Sequence, residues 1–283
     1  MSPAGLTPAP FLQRTRLVLT PRPACLMISA PIITDPLFWL IAVPAITSLG
    51  LAKGGFAGLG GISTPLVALY LAPLEAAALI LPILIFQDML SVWAFRKDWS
   101  AWNLKVLLPG AAIGIFCAWI FAGYVSDDGI RITVGSIGIG FVLNAWFNRS
   151  VTEPRPARAG AGVWWGSVSG FVSTLTQSGS PPFHIFTLPQ RMPKMTLVGT
   201  TAIFFACVNA MKVIPYFALG QFSARNLATS MALLPLAFAT NVLGIWLVKR
   251  TSMQAFYIFT YTLTLIISVA LIVQGIWNIA HAS

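Results

Sequence analysis

The sequence predicts an all-α polytopic membrane protein made of two repeated halves, and three observations predict it. Of the 283 residues, 57% are hydrophobic and 8% are charged, whereas a soluble domain carries about 25% charged residues. The apolar residues fall into runs of about 20 with few charges, the length that crosses the hydrocarbon as a helix. A small, polar segment ending in Ser/Thr-Pro occurs twice, at corresponding places in the chain. The mean hydropathy of +0.82 excludes an ordinary soluble enzyme, a disordered protein and a nucleic-acid binder. A β-barrel is excluded because its strands would alternate apolar and polar, and these runs are apolar on all sides. The net charge of +10 does not point to nucleic acid. The basic residues stand in twos and threes between apolar runs, as loop charges do.

Residues 1–26 form the first segment. They hold Pro3, Pro8, Pro10, Pro21 and Pro23 with Arg14, Arg16 and Arg22, a composition that does not pack. They read as a disordered extension, or else Met27 is the start of the chain. The first membrane half covers 27–148 and the second 161–283. The polar stretch 149–160, with Arg149, Glu153, Arg155 and Arg158, links them. Long apolar runs lie at 36–53, 74–95, 103–124, 128–147, 161–178, 195–219, 226–248 and 253–277. These predict eight long transmembrane helices. Two shorter pieces, 62–72 and 181–190, predict two short helices broken by Gly and Pro. Cys25, Cys117 and Cys207 show neither disulfide nor metal-ligand spacing. No metal or other cofactor is expected.

The repeat pairs Gly58-Leu-Gly-Gly-Ile-Ser-Thr-Pro65 with Thr176-Gln-Ser-Gly-Ser-Pro-Pro182. A short apolar piece follows each, then Pro73 or Pro193, then a long helix. Asn103-Leu104 and Asn226-Leu227 open a further helix in each half. Secondary transporters place broken helices at corresponding points of two halves, and unwound backbone in a membrane survives only where protein or a wet cavity covers it. Ser63 or Thr64 before Pro65, and Ser180 before Pro181, predict helix caps whose free N–H groups aim at one anion. The alternative is that the glycines merely permit close helix packing. That suits Gly162, Gly166 and Gly170. It suits Gly54–Gly61 less well, where five glycines in eight residues would weaken any continuous helix. The candidate substrate-binding set is Lys53, Gly58, Gly60, Gly61, Ser63, Thr64, Gln177, Ser178, Gly179, Ser180 and His184.

Lys53 at the first Gly-rich segment either snorkels to the interface or adds its charge to the anion site. His184 either makes a plain hydrogen bond or shuttles protons. Ionisable residues inside a membrane helix are costly and therefore functional candidates. Asp88 and Lys212 are two such residues, in matching helices. They are expected either to pair across the halves or to act separately, Asp88 on a coupling proton and Lys212 on the anion.

The run Lys53-Gly-Gly-Phe-Ala-Gly-Leu-Gly-Gly-Ile-Ser-Thr-Pro65 resembles the first signature of the sulfite exporter TauE/SafE-like transporters, the 4-toluene sulfonate uptake permease family. The resemblance covers residues 36–277. The second segment, Gln177-Ser-Gly-Ser-Pro-Pro182, departs from it, with one glycine where the family has a Gly-Gly run. The resemblance implies transport of a small sulfur-containing or organic anion such as sulfite or a sulfonate. The reading as a whole expects an ion-coupled secondary transporter of the cytoplasmic membrane, with lipid and the anion as the partners. An enzyme is disfavoured. There is no HExxH, no Walker A sequence, and Gly166-Ser-Val-Ser-Gly170 puts Val168 where GxSxG needs serine. A permease subunit driven by a partner would need a sizeable cytoplasmic docking loop, which the sequence lacks.

Either the eight long runs alone cross, or the Gly-rich segments cross too, making ten. The positive-inside rule favours ten if Met27 is the start. Then Arg96, Lys97, Lys105, Arg149, Arg155, Arg158, Arg191, Lys194, Lys249 and Arg250 lie inside, against Arg131 and Arg225 outside. Five crossings per half invert the second half relative to the first and put both ends outside the cytoplasm.

Overall fold

Proline and charge set where the first helix begins. Asp35 accepts the Leu37 amide at 2.9 Å and Pro36 occupies the first turn, so α1 runs Pro36–Lys53 and ends at Gly54. The other helices are α2 (Ser63–Val67), α3 (Pro73–Phe95), α4 (Ala101–Phe121), α5 (Asp127–Phe147), α6 (Ala159–Thr176), α7 (Ser180–Thr187), α8 (Lys194–Ala218), α9 (Ala224–Arg250) and α10 (Met253–His281), with a 3₁₀ turn at Leu188–Gln190. The computed structural model describes residues 32–56, 60, 63–67, 70–71, 73–121, 127–147, 157–177, 179–218, 220 and 222–281. Residues 1–26, most of the 149–160 linker, and Gly58, Gly61 and Ser178 lie outside the described residues.

The described residues are all helical or irregular, with no strand. Six helices, α1, α3, α4, α8, α9 and α10, are long and apolar enough to cross a membrane. Their outward faces stay apolar, with Leu40, Phe147, Ile214 and Phe217 among the most exposed side chains. Trp93, Trp99, Trp102, Trp146, Trp164, Trp246 and Trp277, all exposed, cluster near helix ends, as an aromatic belt at two membrane faces requires.

Lipid is as apolar as leucine, so helices associate here through close packing and hydrogen bonds. The glycines make the close approaches. A methyl on Gly50 would strike Thr240 and one on Gly54 would strike Gly244, so α1 and α9 run in the same direction. A methyl on Gly110 would strike Val163, and one on Gly114 would strike Ser167. Gly166 and Gly170 lie against Leu107 and Ala111, so α4 and α6 also run in the same direction. Helices α3 and α9 are parallel too. Ser230 donates to the Leu79 carbonyl at 2.6 Å near their starts, and Asn241 donates to Ser91 at 3.1 Å further on. In contrast α3 and α8 are antiparallel, with Gly199 on Asp98 and Asn209 on Asp88. So are α5 and α10, with Gly135 on Ser268 and Gly275 on Asp128.

The short helix α2 lies on α1, and its end returns to the start of α1, where the Tyr70 hydroxyl donates to Asp35 at 2.7 Å. The end of α7 reaches the starts of α4 and α10. Gln190 donates to Asn103 at 3.0 Å and Tyr257 donates to the Met192 carbonyl at 2.7 Å.

Candidate functional site

The site grows from the end of α1. Helix α1 stops where Gly54 and Gly55 follow Lys53, and Gly55 holds φ 138°, which favours glycine. The Lys53 ammonium reaches α3 and pairs with Asp88 at 2.5 Å. The second Asp88 oxygen accepts Asn209 of α8 at 2.7 Å. Ser91 donates to the Lys53 carbonyl at 2.7 Å, satisfying one of the carbonyls left open at the helix end. The Lys53 ammonium also stands 5.7 Å from the centre of the Phe205 ring, within cation–π range. The side chain of Lys53 is 13% exposed and that of Asp88 is 4% exposed. The lysine therefore sits at a wall and the carboxylate behind it.

The end of α6 builds a similar corner with different chemistry. Helix α6 ends at Gln177, a non-glycine residue in the left-handed region at φ 57°. Its amide oxygen accepts Lys212 of α8 at 2.5 Å, and Lys212 donates also to the Ser173 carbonyl and hydroxyl, each at 3.2 Å. The Gln177 amide donates to Tyr216 at 3.3 Å. The Lys53–Asp88 and Gln177–Lys212 pairs each span 35 residues. A residue at the end of α1 or α6 thus meets a residue of α3 or α8 at the same separation. In the first half the pair is an ion pair. In the second it is a lysine held by neutral oxygens.

Between the two corners is a cavity of about 60 Å³ lined from both halves. Leu49, Ala52, Lys53, Gly55, Gly60, Thr64, Ile80 and Leu84 come from the first. Ser173, Gln177, Ser180, Val198, Thr201, Ala202, Phe205 and Asn209 come from the second. At roughly 10–15 Å³ of such volume per water, the space suits an anion of a few heavy atoms. Its polar groups are mostly donors or hydroxyls: the Lys53 ammonium, the Asn209 and Gln177 amides, Thr64, Ser173, Ser180 and Thr201.

Of the residues expected from sequence, Lys53, Gly60, Thr64, Gln177 and Ser180 line this cavity. Ser63 does not. It is the first residue of α2 rather than its cap, and its buried hydroxyl has no partner among the described residues. Ser180 is likewise the first residue of α7. Gly179 stands at the cap, with no side-chain cap bond. Gly179 packs on Ser169, whose hydroxyl donates to its carbonyl at 2.8 Å. His184 is fully buried on α7, 3.0 Å from Thr264 of α10, and does not line the cavity.

The expected pairing of Asp88 with Lys212 is not there: Asp88 takes Lys53, and Lys212 takes Gln177 and Ser173. The reason is geometric. Each charge lies closer to the end of its own half's first helix than to the other charge. Residues that sequence reasoning left out are Ser173, Thr201, Phe205 and Asn209. Asn209 carried a signal, an amide in an otherwise apolar helix one turn from Lys212. Ser173 and Thr201 carried none, since hydroxyls often bond the carbonyl four residues back, as Thr201 does to Leu197 at 2.7 Å.

An all-helical bundle with several membrane-spanning helices and a small polar cavity between its halves defines a multi-pass membrane protein of transporter type. The chain belongs to the sulfite exporter TauE/SafE family, whose model matches residues 42–271. This is a family of membrane transporters for sulfur-containing anions. No curated protein and no solved structure matches the chain.

Proposed function

We propose that the chain is an ion-coupled secondary transporter that moves a small sulfur-containing anion, sulfite or a sulfonate, across the cytoplasmic membrane through the cavity between its halves. The observation that carries this reading is the cavity itself, which both halves line and where the Lys53 ammonium, backed by Asp88, stands among neutral donors. A buried cation among amides and hydroxyls suits a small anion. Walls of opposite halves are what alternating access needs, because rocking one half against the other opens the site to each side in turn.

The helix directions fit an inverted repeat, which is consistent with the same reading. Exchanging α1–α5 with α6–α10 turns the parallel α1–α9 contact into the parallel α4–α6 contact. It turns the antiparallel α3–α8 and α5–α10 contacts into themselves. Five residues join α3 to α4 and two join α9 to α10, too few to span a helix length at about 3.3–3.6 Å each, so each of these pairs is antiparallel. Then α1, α3, α5 and α9 point one way and α4, α6, α8 and α10 the other. The segment between α1 and α3 returns across, as does that between α6 and α8. Each half carries the chain from one face to the other.

Purified chain in proteoliposomes, loaded with unlabelled sulfite, should draw in radiolabelled sulfite by counterflow without any ion gradient or second protein. Absence of protein-dependent counterflow with sulfite and with small sulfonates overturns the reading.

A further inference from the structure

The transport proposed above leaves open which ion is coupled, and the geometry around Asp88 answers it. We infer that the coupled ion is a proton carried on Asp88, and that Asp88 and the transported anion compete for Lys53. The inference rests on the transport reading and goes beyond it.

Lys53 lines the cavity, whereas Asp88 stands behind it and is absent from the cavity wall. An anion entering the cavity therefore meets the ammonium before it meets the carboxylate. As the anion takes the ammonium, Asp88 keeps one neutral donor, Asn209. A carboxylate buried without its cation is the costly state. Taking a proton from water removes that charge, and the Asn209 bond can persist. No bond other than O–H forms, and the proton leaves again when the anion does and Lys53 returns.

Charge counting sets the ratio. The other groups facing Asp88 are few. From α8 come Lys212 and Cys207, both within its electrostatic reach. From α9 comes Asn241, which is neutral, by way of Ser91 and Gln87. No carboxylate among the described residues pairs with Lys212. The Lys53–Asp88 pair is neutral in the empty site. A dianion brings two negative charges to that buried place, and one proton on Asp88 removes one of them while Lys53 faces the other. Anion and proton therefore travel together, and the summed gradients set the direction.

The test reads protons per anion. The purified wild-type protein is titrated with sulfite in a calorimeter at alkaline pH, where free sulfite is the dianion, in two buffers of different ionisation heat. The expected result is about one proton taken up per sulfite bound. In proteoliposomes at zero membrane potential, a pH step of one unit should drive about tenfold accumulation of labelled sulfite. In Asp88→Asn the proton count should fall to zero for whatever sulfite still binds, and the accumulation should vanish.

Proton release, or no proton change, on binding to wild-type protein overturns the inference. A count that stays at one in Asp88→Asn also overturns it, by placing the proton elsewhere, on the anion itself. The wild-type count stands even if the variant does not fold. Counterflow without proton uptake removes the coupling alone. Absence of counterflow removes the transport reading, and the coupling with it.

Discussion

Lys53 and Asp88 are not equal partners, because one touches the cavity and the other does not. Replacing the lysine leaves a carboxylate buried beside one amide, and breaking a buried pair in this way typically costs about 3–5 kcal/mol. Replacing the aspartate leaves an ammonium that the cavity can hydrate and the Phe205 face can hold. Lys53→Met is therefore expected to lower thermal stability in detergent more than Asp88→Asn, and the double change Lys53→Met with Asp88→Asn should recover most of the loss. Additive losses in the double variant would show that the two side chains do not interact. Both charges were visible in the sequence as ionisable residues in apolar runs. Their pairing was not. Lys53 stands at the edge of its run and read equally well as an interfacial lysine, while Lys212, deep in a helix, drew the pairing instead.

At the scale of helices, the glycines of α1 and α9 set where Lys53 ends up. A methyl on Gly54 would meet the backbone of Gly244 and Ile245, which cannot turn aside as a side chain can. The two helices would have to separate, and forcing atoms into a packed contact typically costs about 1–3 kcal/mol. Gly54→Val should lower the melting temperature in detergent and also reduce sulfite counterflow, because the end of α1 carries the lysine. Gly160→Ala is the control. Nothing lies within 4 Å of that position on α6, so stability should hold.

Six of the eight expected long runs are helices long and apolar enough to cross, legible because an apolar run with few charges has little alternative to crossing as a helix. The run expected at 74–95 is α3 at Pro73–Phe95. The register between halves was harder. Aligning Pro73 with Pro193 sets Asp88 against Val208, whereas the equal separations of the Lys53–Asp88 and Gln177–Lys212 contacts fit a register four residues away. The short elements explain the slip. Helix α2 has five residues, while α7 has eight and a 3₁₀ turn after it. The prolines after them mark loop ends of unequal length rather than equivalent turns of helix.

For the whole molecule, helix direction and basic residues converge on one orientation. If each half carries the chain across, the start of α1 and the end of α10 share a face. The ends of α3 and α9 and the starts of α4, α6 and α8 share the other. Among described residues the second face holds Arg96, Lys97, Lys105, Arg158, Arg191, Lys194, Lys249 and Arg250, while the first holds Arg131 and Arg225. Lysine and arginine concentrate on the cytoplasmic side, so we propose that the second face is cytoplasmic and the end of α10 outside. Charge counting alone favoured this arrangement only if the chain starts at Met27, since the three arginines at 14, 16 and 22 otherwise even the count. The parallel α1–α9 and α4–α6 contacts do not depend on where the chain starts. Alkaline phosphatase fused after Ser283 should therefore be active, and a green fluorescent protein fused there should stay dark. A fusion in the 149–160 linker should behave the opposite way. A fluorescent, phosphatase-inactive C-terminal fusion would overturn this orientation: with an active phosphatase in the linker the whole molecule is reversed, and with a fluorescent linker fusion as well the second half does not carry the chain across.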